Sequence, residues 1–229
     1  MVRSLFKYFR SIILFSLAAS GIHYLVNNKS YTFKAVDIKR TGEKYAGQHP
    51  SQCLSKIAND LRRTYGAHVL SSAHSRWFSV SSGGLKTKIY FLHASLTEYL
   101  AVVGYPLATA GHVGLHWTNE SCSVLTGNLQ QAKDDPATLH RQDFGPGDHV
   151  RFGMFETSYI AAGDETWLLC YGRGVLTASL PLLTLDTLIS NGDPVSLGHL
   201  YFVLGRSIVY QTALSLEETL DFYKRKYLS

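Results

Sequence analysis

The stretch Thr166-Trp-Leu-Leu-Cys-Tyr-Gly-Arg-Gly174 constrains this chain most. Trp167 to Tyr171 reads as a buried strand that ends in a glycine-framed turn. Alternation puts Thr166, Leu168 and Cys170 on one face and Trp167, Leu169 and Tyr171 on the other. Both faces are apolar enough to be buried. The stretch is therefore either a plain core strand or a strand with one face on an internal cavity.

The 229 residues suit one large domain, or one domain plus an anchor. A hydrophobic content of 45% against 17% charged residues leaves ample material for a core. The net charge of +5 is dispersed, with Arg3, Lys7 and Arg10 ahead of an apolar run and Lys224-Arg-Lys226 at the far end. No basic stripe is interleaved with aromatics, which excludes nucleic acid as a partner. Basic ends beside apolar segments fit an anionic membrane surface instead. Cys53, Cys122 and Cys170 have no metal-type spacing, and CxxC, HExxH, P-loop and GxGxxG motifs are absent from the sequence. No metal or cofactor is expected.

Ser11 to Val26 is apolar apart from small hydroxyls and His23. Counted from Leu5, with Lys7 and Arg10 snorkelling, it is long enough to span a bilayer. A cleaved signal peptide, with Ala18-Ala-Ser-Gly21 as cleavage site, is the alternative. Tyr31 to Gly66 is expected to be mostly helical, with Ile57 and Leu61 on one face, Ser51 as an N-cap and Gly66 as a stop. Trp77-Phe-Ser-Val-Ser is strand-like, Ser81–Gly84 is a turn and Lys88–Tyr105 is a further apolar run; from Gly111 to Trp167 short strands alternate with turns at Gly111–Gly114, Thr126–Asn128, Gly145–Asp148 and Ala162–Glu165. Leu176–Ser190 and Val195–Tyr210 are leucine-rich, with Pro181 and Pro194 placed for first helical turns. Their aliphatic residues lie on more than one side, which fits buried or lipid-facing helices.

Four blocks, in order, resemble the sigma non-opioid receptors and fungal C-8 sterol isomerases. They are Ser81-Ser-Gly-Gly84 leading to Leu92-His-Ala-Ser-Leu-Thr-Glu-Tyr99; Gly111-His-Val-Gly to Trp117; Leu125-Thr-Gly127; and Thr166 to Val175 followed by Asp186-Thr. The resemblance implies an α+β chain of the endoplasmic-reticulum membrane with three parts. Residues 1–28 would be a membrane helix, 29–175 a helical lead-in and a cupin-like β-barrel with an apolar pocket, and 176–229 two membrane-facing helices over the barrel mouth. It also implies a homotrimer, membrane lipid as a partner, and a small hydrophobic substrate or ligand. The implied pocket takes Ile89, Phe91, Tyr99, Leu129, Ile160, Leu168, Ser179, Leu180 and Leu183.

In these relatives two acidic side chains face one another in the pocket, and here their positions hold Cys122 and Cys170; a third acid corresponds to Asn119. Shifting a sterol double bond needs an acid, a base and a carboxylate to stabilise the carbocation. A neutral thiol serves poorly in each role, and poorly as an anchor for an amine. His116, Thr118, Glu120 and Cys122 share one face of a regular strand, so Glu120 can replace the lost acid, with His116 as base. A bulge would instead turn Glu120 to solvent. Cys122 and Cys170 are expected to be free buried thiols, a disulfide being the alternative. His93 reads as a core histidine, Glu98 as a partner for backbone, His112 as a turn residue and Asp186 as an internal acceptor. Asn28 and Asn119 begin glycosylation sequons. Two functions follow. One is a redox-neutral isomerase or cyclase acting on a sterol or terpenoid by protonation, using Glu120, His116, Cys122, Cys170 and Tyr171. The other is a non-enzymatic, sigma-receptor-like binder of a lipid or amphiphile.

Overall fold

The computed structural model describes residues 8–14, 16–17, 20–21, 24, 29–133 and 140–227. The chain divides into two compact units, Met1–Tyr31 and Thr32–Ser229. Within the expected anchor, Leu5–Val26, residues 5–7, 15, 18–19, 22–23 and 25–26 lie outside the described residues, as does Asn28 of the sequon. Residues 8–14 are helical and expose Tyr8, Phe9, Ile12, Ile13 and Leu14. Among the described residues no helix is long and apolar enough to cross a membrane.

The second unit opens with helices α1 (Ala35–Lys44) and α2 (Pro50–Tyr65). Its strands are β1 (Trp77–Ser82), β2 (Leu85–Ala94), β3 (Glu98–Tyr105), β4 (Thr109–Val113), β5 (Thr118–Thr126), β6 (Leu129–Lys133), β7 (Arg141–Phe144), β8 (His149–Phe152), β9 (Ser158–Ala162) and β10 (Thr166–Gly174). Helices α3 (Leu176–Asn191) and α4 (Pro194–Tyr227) follow. The fold class is α+β, as expected.

The strands form two antiparallel sheets, β1-β2-β3-β10-β5-β8 and β4-β9-β6-β7. This corrects the expected closed barrel. The two sheets come together at the β1–β2 turn, where His112 N–H donates to the Gly83 carbonyl at 2.9 Å. One such bond is not a ladder, and no strand pairing joins the sheets among the described residues. His112 itself lies in β4, a correction of its turn assignment. The turn reading rested on its flanking glycines, whereas pairing with Tyr159 of β9 decides its conformation.

β10 is central, paired with β3 on one side and β5 on the other. Its Trp167, Leu169 and Tyr171 join Leu100, Val102 and Leu125 in a core covered by Phe33, Ile38, Ile57 and Leu61. Ile57 and Leu61 are buried as their helical spacing predicts. The α2 N-cap is His49, not Ser51, because Pro50 occupies the first helical position, where its missing N–H costs nothing. Close approach of α1 to β5 depends on Gly42: a Cβ there would stand 2.3 Å from Ser123 Cβ.

A second core packs Phe78, Val80, Phe91 and Ala101 against Leu176, Leu197, Leu200, Val203 and Leu204. Burial of Leu176 starts α3 five residues before Pro181, so the proline lies inside the helix rather than in its first turn. Pro194 does open α4, which runs well beyond Tyr210 to Tyr227. The third core, with Val124, Leu129, Ile160 and Leu168, lies between the two sheets.

Candidate functional site

The face of β10 opposite the α1–α2 core borders a cavity of about 200 Å³. Val80, Thr87, Ile89 and Phe91 line it from β1 and β2, Tyr99, Val103 and Tyr105 from β3, and Phe152 and Ile160 from β8 and β9. Leu176, Ser179, Leu180, Leu183, Leu200 and Leu204 close it from α3 and α4. The walls are mainly aliphatic and aromatic, so an apolar molecule gains about 25 cal/mol for each Å² of its apolar surface removed from water. Of the pocket residues expected from sequence, only Leu129 is absent from the wall; it is buried in the inter-sheet core. Tyr105 was not anticipated, although it falls on the same alternation as Tyr99 and Val103 and could have been read from it.

His116, Thr118, Glu120 and Cys122 all reach this cavity. The β5–β10 register shift lies between Trp167 and Leu168, opposite the far end of β5. From Glu120 to Cys122 the pairing is regular, so no bulge rotates the carboxyl outward. Glu120 is half-buried, and its Oε1 accepts from Thr118 Oγ1 at 2.9 Å. Tyr99 lines the same cavity, and its phenol feels the Glu120 charge. Burial raises the Tyr99 phenol well above its usual range, and the Glu120 charge adds to the shift. Tyr105 is raised by the same two causes, burial first. Both phenols are therefore neutral donors at physiological pH.

Cys122 and Cys170 are joined in a disulfide, which corrects the expectation of free thiols. They are direct cross-strand partners with Cα atoms 4.0 Å apart. Adjacent strands bring them well inside the limit of about 7 Å for bridging, a neighbourhood set by strand pairing across 48 residues of sequence. Neither sulfur is available as a thiol acid or nucleophile in this state. Cys53 is free and buried, with desolvation raising its thiol.

Tyr171 does not join the site, a further correction. It points away from the cavity, as alternation from Cys170 requires. Its hydroxyl lies 2.8 Å from the Phe33 carbonyl and 2.9 Å from Glu98 Oε2, and accepts from Arg173 Nε at 3.0 Å. Burial, then the Glu98 charge, raises its phenol against the opposing influence of Arg173. Glu98 also accepts the Thr32 N–H at 3.0 Å, so it does partner backbone as predicted. His93 is a core residue whose Nδ1 faces the His68 carbonyl at 2.8 Å. Asp186 accepts from the Gly83 N–H. Asn119 is exposed, and its side-chain oxygen accepts from Met154 N–H at 2.9 Å. Among the described residues no group of three His, Cys, Asp or Glu side chains is placed to hold a metal ion.

A family profile described as ERG2 and Sigma1 receptor like protein matches residues 10–215. The chain is similar to sigma non-opioid intracellular receptor 1 of Danio rerio, at 29% identity over 96% of this chain and 98% of that protein. It is similar to the C-8 sterol isomerase of Mycosarcoma maydis, at 30% identity over 87% of this chain and 88% of that protein. Among solved structures, an RmlC-like cupin from Shewanella frigidimarina overlays with a TM-score of 0.40 at 12% identity, over 50% of this chain and 96% of that one. The ordered sequence blocks and the profile match over most of the chain agree: it belongs to the ERG2 and Sigma1 receptor like protein family.

Proposed function

We propose that the chain is a cofactor-free, redox-neutral isomerase or cyclase acting on a sterol or terpenoid in the membrane of the endoplasmic reticulum. The observation that carries this reading is a carboxyl group, Glu120, on the wall of an otherwise mainly apolar cavity, where it accepts a hydrogen bond from Thr118. Protonated Glu120 would give its proton to an alkene carbon. The π electrons form the new C–H bond and leave a cation on the neighbouring carbon. The carboxylate then stabilises that cation. His116, on the same cavity wall, would take a proton from a different carbon, and those electrons form the shifted double bond. No electron is gained or lost overall. The Cys122–Cys170 disulfide supports residence in an oxidising compartment such as the endoplasmic-reticulum lumen.

The test is to incubate membranes containing the protein with unsaturated sterols and prenyl hydrocarbons in deuterated water and to profile the products. A double-bond isomer or cyclised product that has gained solvent deuterium supports the mechanism. Recovery of every substrate unchanged, with tight binding retained, gives the second reading, a sigma-receptor-like binder. The same Glu120 favours that reading too, because its carboxylate can pair with a ligand ammonium. A sterol amine would then bind more tightly than the matching hydrocarbon.

A further inference from the structure

We propose that His74, Arg76, His199 and Arg206 form a binding site for a phosphate monoester group, separate from the apolar cavity. They line a surface pocket of about 290 Å³ together with Phe202 and Val203. His199, Phe202, Val203 and Arg206 recur at helical spacing on one face of α4. His74 and Arg76 approach from the segment ahead of β1. That segment is fixed in place: the buried Ser75 Oγ donates to the Phe91 carbonyl at 2.6 Å, and His74 N–H donates to the Ser71 carbonyl at 2.9 Å.

The charge balance of the pocket points to an anion. Three lysines elsewhere have carboxylates beside them: Lys39 lies 3.8 Å from Glu43, Lys44 pairs with Asp60, and Lys133 lies 3.9 Å from Glu156. Arg76 and Arg206 have neither a hydrogen bond nor an ion pair among the described residues, yet they share one pocket. Hydrogen bonds from Ser196 chiefly lower the Asp193 carboxyl, and Asp193 is near enough to His199 for the imidazole to contribute as the smallest of several causes. Asp193 is already engaged as the cap of α4, accepting the Val195 and Ser196 N–H groups at 3.1 and 2.9 Å. Two guanidinium groups and two imidazoles present donors from two sides of one recess. Planar arginine forks match the paired oxygens of a phosphate and bind them bidentately, as a lysine cannot. Exposed Tyr201, Phe202 and Val209 on the same helix offer an apolar surface for whatever chain a phosphate carries. A phospholipid headgroup or a soluble phosphate ester would supply the same chemistry.

The experiment titrates the full-length protein, purified in neutral detergent, with glycerol 3-phosphate, dioctanoyl phosphatidic acid and uncharged dioctanoylglycerol, followed by calorimetry. At least one phosphate probe is expected to bind through the two arginines, whereas dioctanoylglycerol, which can enter the apolar cavity, is expected to bind no more weakly when they are replaced. Losing a charged hydrogen-bond partner should weaken binding about tenfold or more in Arg76→Gln and in Arg206→Gln. Lys56→Gln, at an exposed cation on α2, should change nothing. Arg206→Lys keeps the charge without the fork and should fall between wild type and Arg206→Gln; it serves as the reading if the glutamine variant melts early. Weakening by Phe202→Ala for phosphatidic acid alone identifies a lipid source, and equal affinity of the two phosphate probes identifies a soluble one. Absence of binding by both phosphate probes overturns the site. So does a loss of dioctanoylglycerol binding in the arginine variants as large as the loss for the phosphate probes, or a loss in Lys56→Gln as large as in the arginine variants.

Discussion

Glu120 and the disulfide divide the work of the cavity wall between one residue that can move a proton and two that cannot. Glu120→Gln preserves the shape of the side chain and its contact with Thr118 but has no acidic proton. Turnover is expected to fall by about 10²- to 10⁴-fold with the melting temperature little changed. Normal turnover by that variant would sink the proposed role. Replacing Cys122 and Cys170 together by alanine opens a constraint between residues separated by 48 positions, for which the chain-entropy relation gives a stability loss of about 4 kcal/mol. Denaturant melts of the oxidised, reduced and double-alanine proteins read this loss directly. Turnover by the double-alanine protein, measured well below its melting point, should exceed that of Glu120→Gln. The opposite order would assign the chemistry to sulfur.

At the scale of elements, β10 holds the molecule together because both its faces and both its edges are occupied. Gly172 shows how tightly: a Cβ there would lie 2.1 Å from the Tyr99 ring, so the chain passes beneath that ring only as glycine. β8 supplies a pH response through His149, whose Nδ1 lies 2.9 Å from Ser123 Oγ beneath α1. Burial, then the charge of Lys39, lowers the His149 imidazole below its ordinary value, with Glu43 opposing. The folded state therefore favours neutral His149, while the unfolded chain takes up a proton near pH 6.5. This contribution to stability is complete above about pH 6.5 and is lost as pH falls through the lower folded value. Melting temperatures measured from about pH 7.5 down to about pH 5 should decline less steeply for His149→Gln than for wild type. Parallel profiles would show that His149 is not the group responsible.

For the whole molecule, the proposed membrane residence requires a surface that meets lipid. Leu182, Leu185, Ile189, Phe202 and Val209 are exposed on α3 and α4, more apolar area than a helix pair needs to cover a cavity mouth. Deleting residues 1–28 is therefore expected to leave substantial membrane binding that resists high salt. Flotation of the truncated protein with vesicles checks this, and complete release into the soluble fraction would refute a C-terminal membrane contact. The cavity, closed by these same two helices, would then load from the bilayer.

The sequence by itself determined the α+β class, the strand Thr166–Gly174 with its two faces, the buried helix pair Ile57 and Leu61, and the family. These follow from local periodicity and from contiguous motifs, which a single chain carries in full. Alternation also placed Glu120 on the same side as Cys122, because β5 is regular there. The tertiary structure alone decided what depends on strand neighbours distant in sequence. It set Cys170 directly opposite Cys122, and so turned two expected thiols into a disulfide. It left the strands as two sheets rather than a closed barrel, and put Tyr171 in the network of Glu98 and Arg173 instead of the cavity. It also brought Arg76 to Arg206 across 130 residues of chain, in a pocket that no local pattern announces. Spacing along a chain fixes which side of a strand or helix a residue takes; which residue waits on that side is fixed only by register and packing.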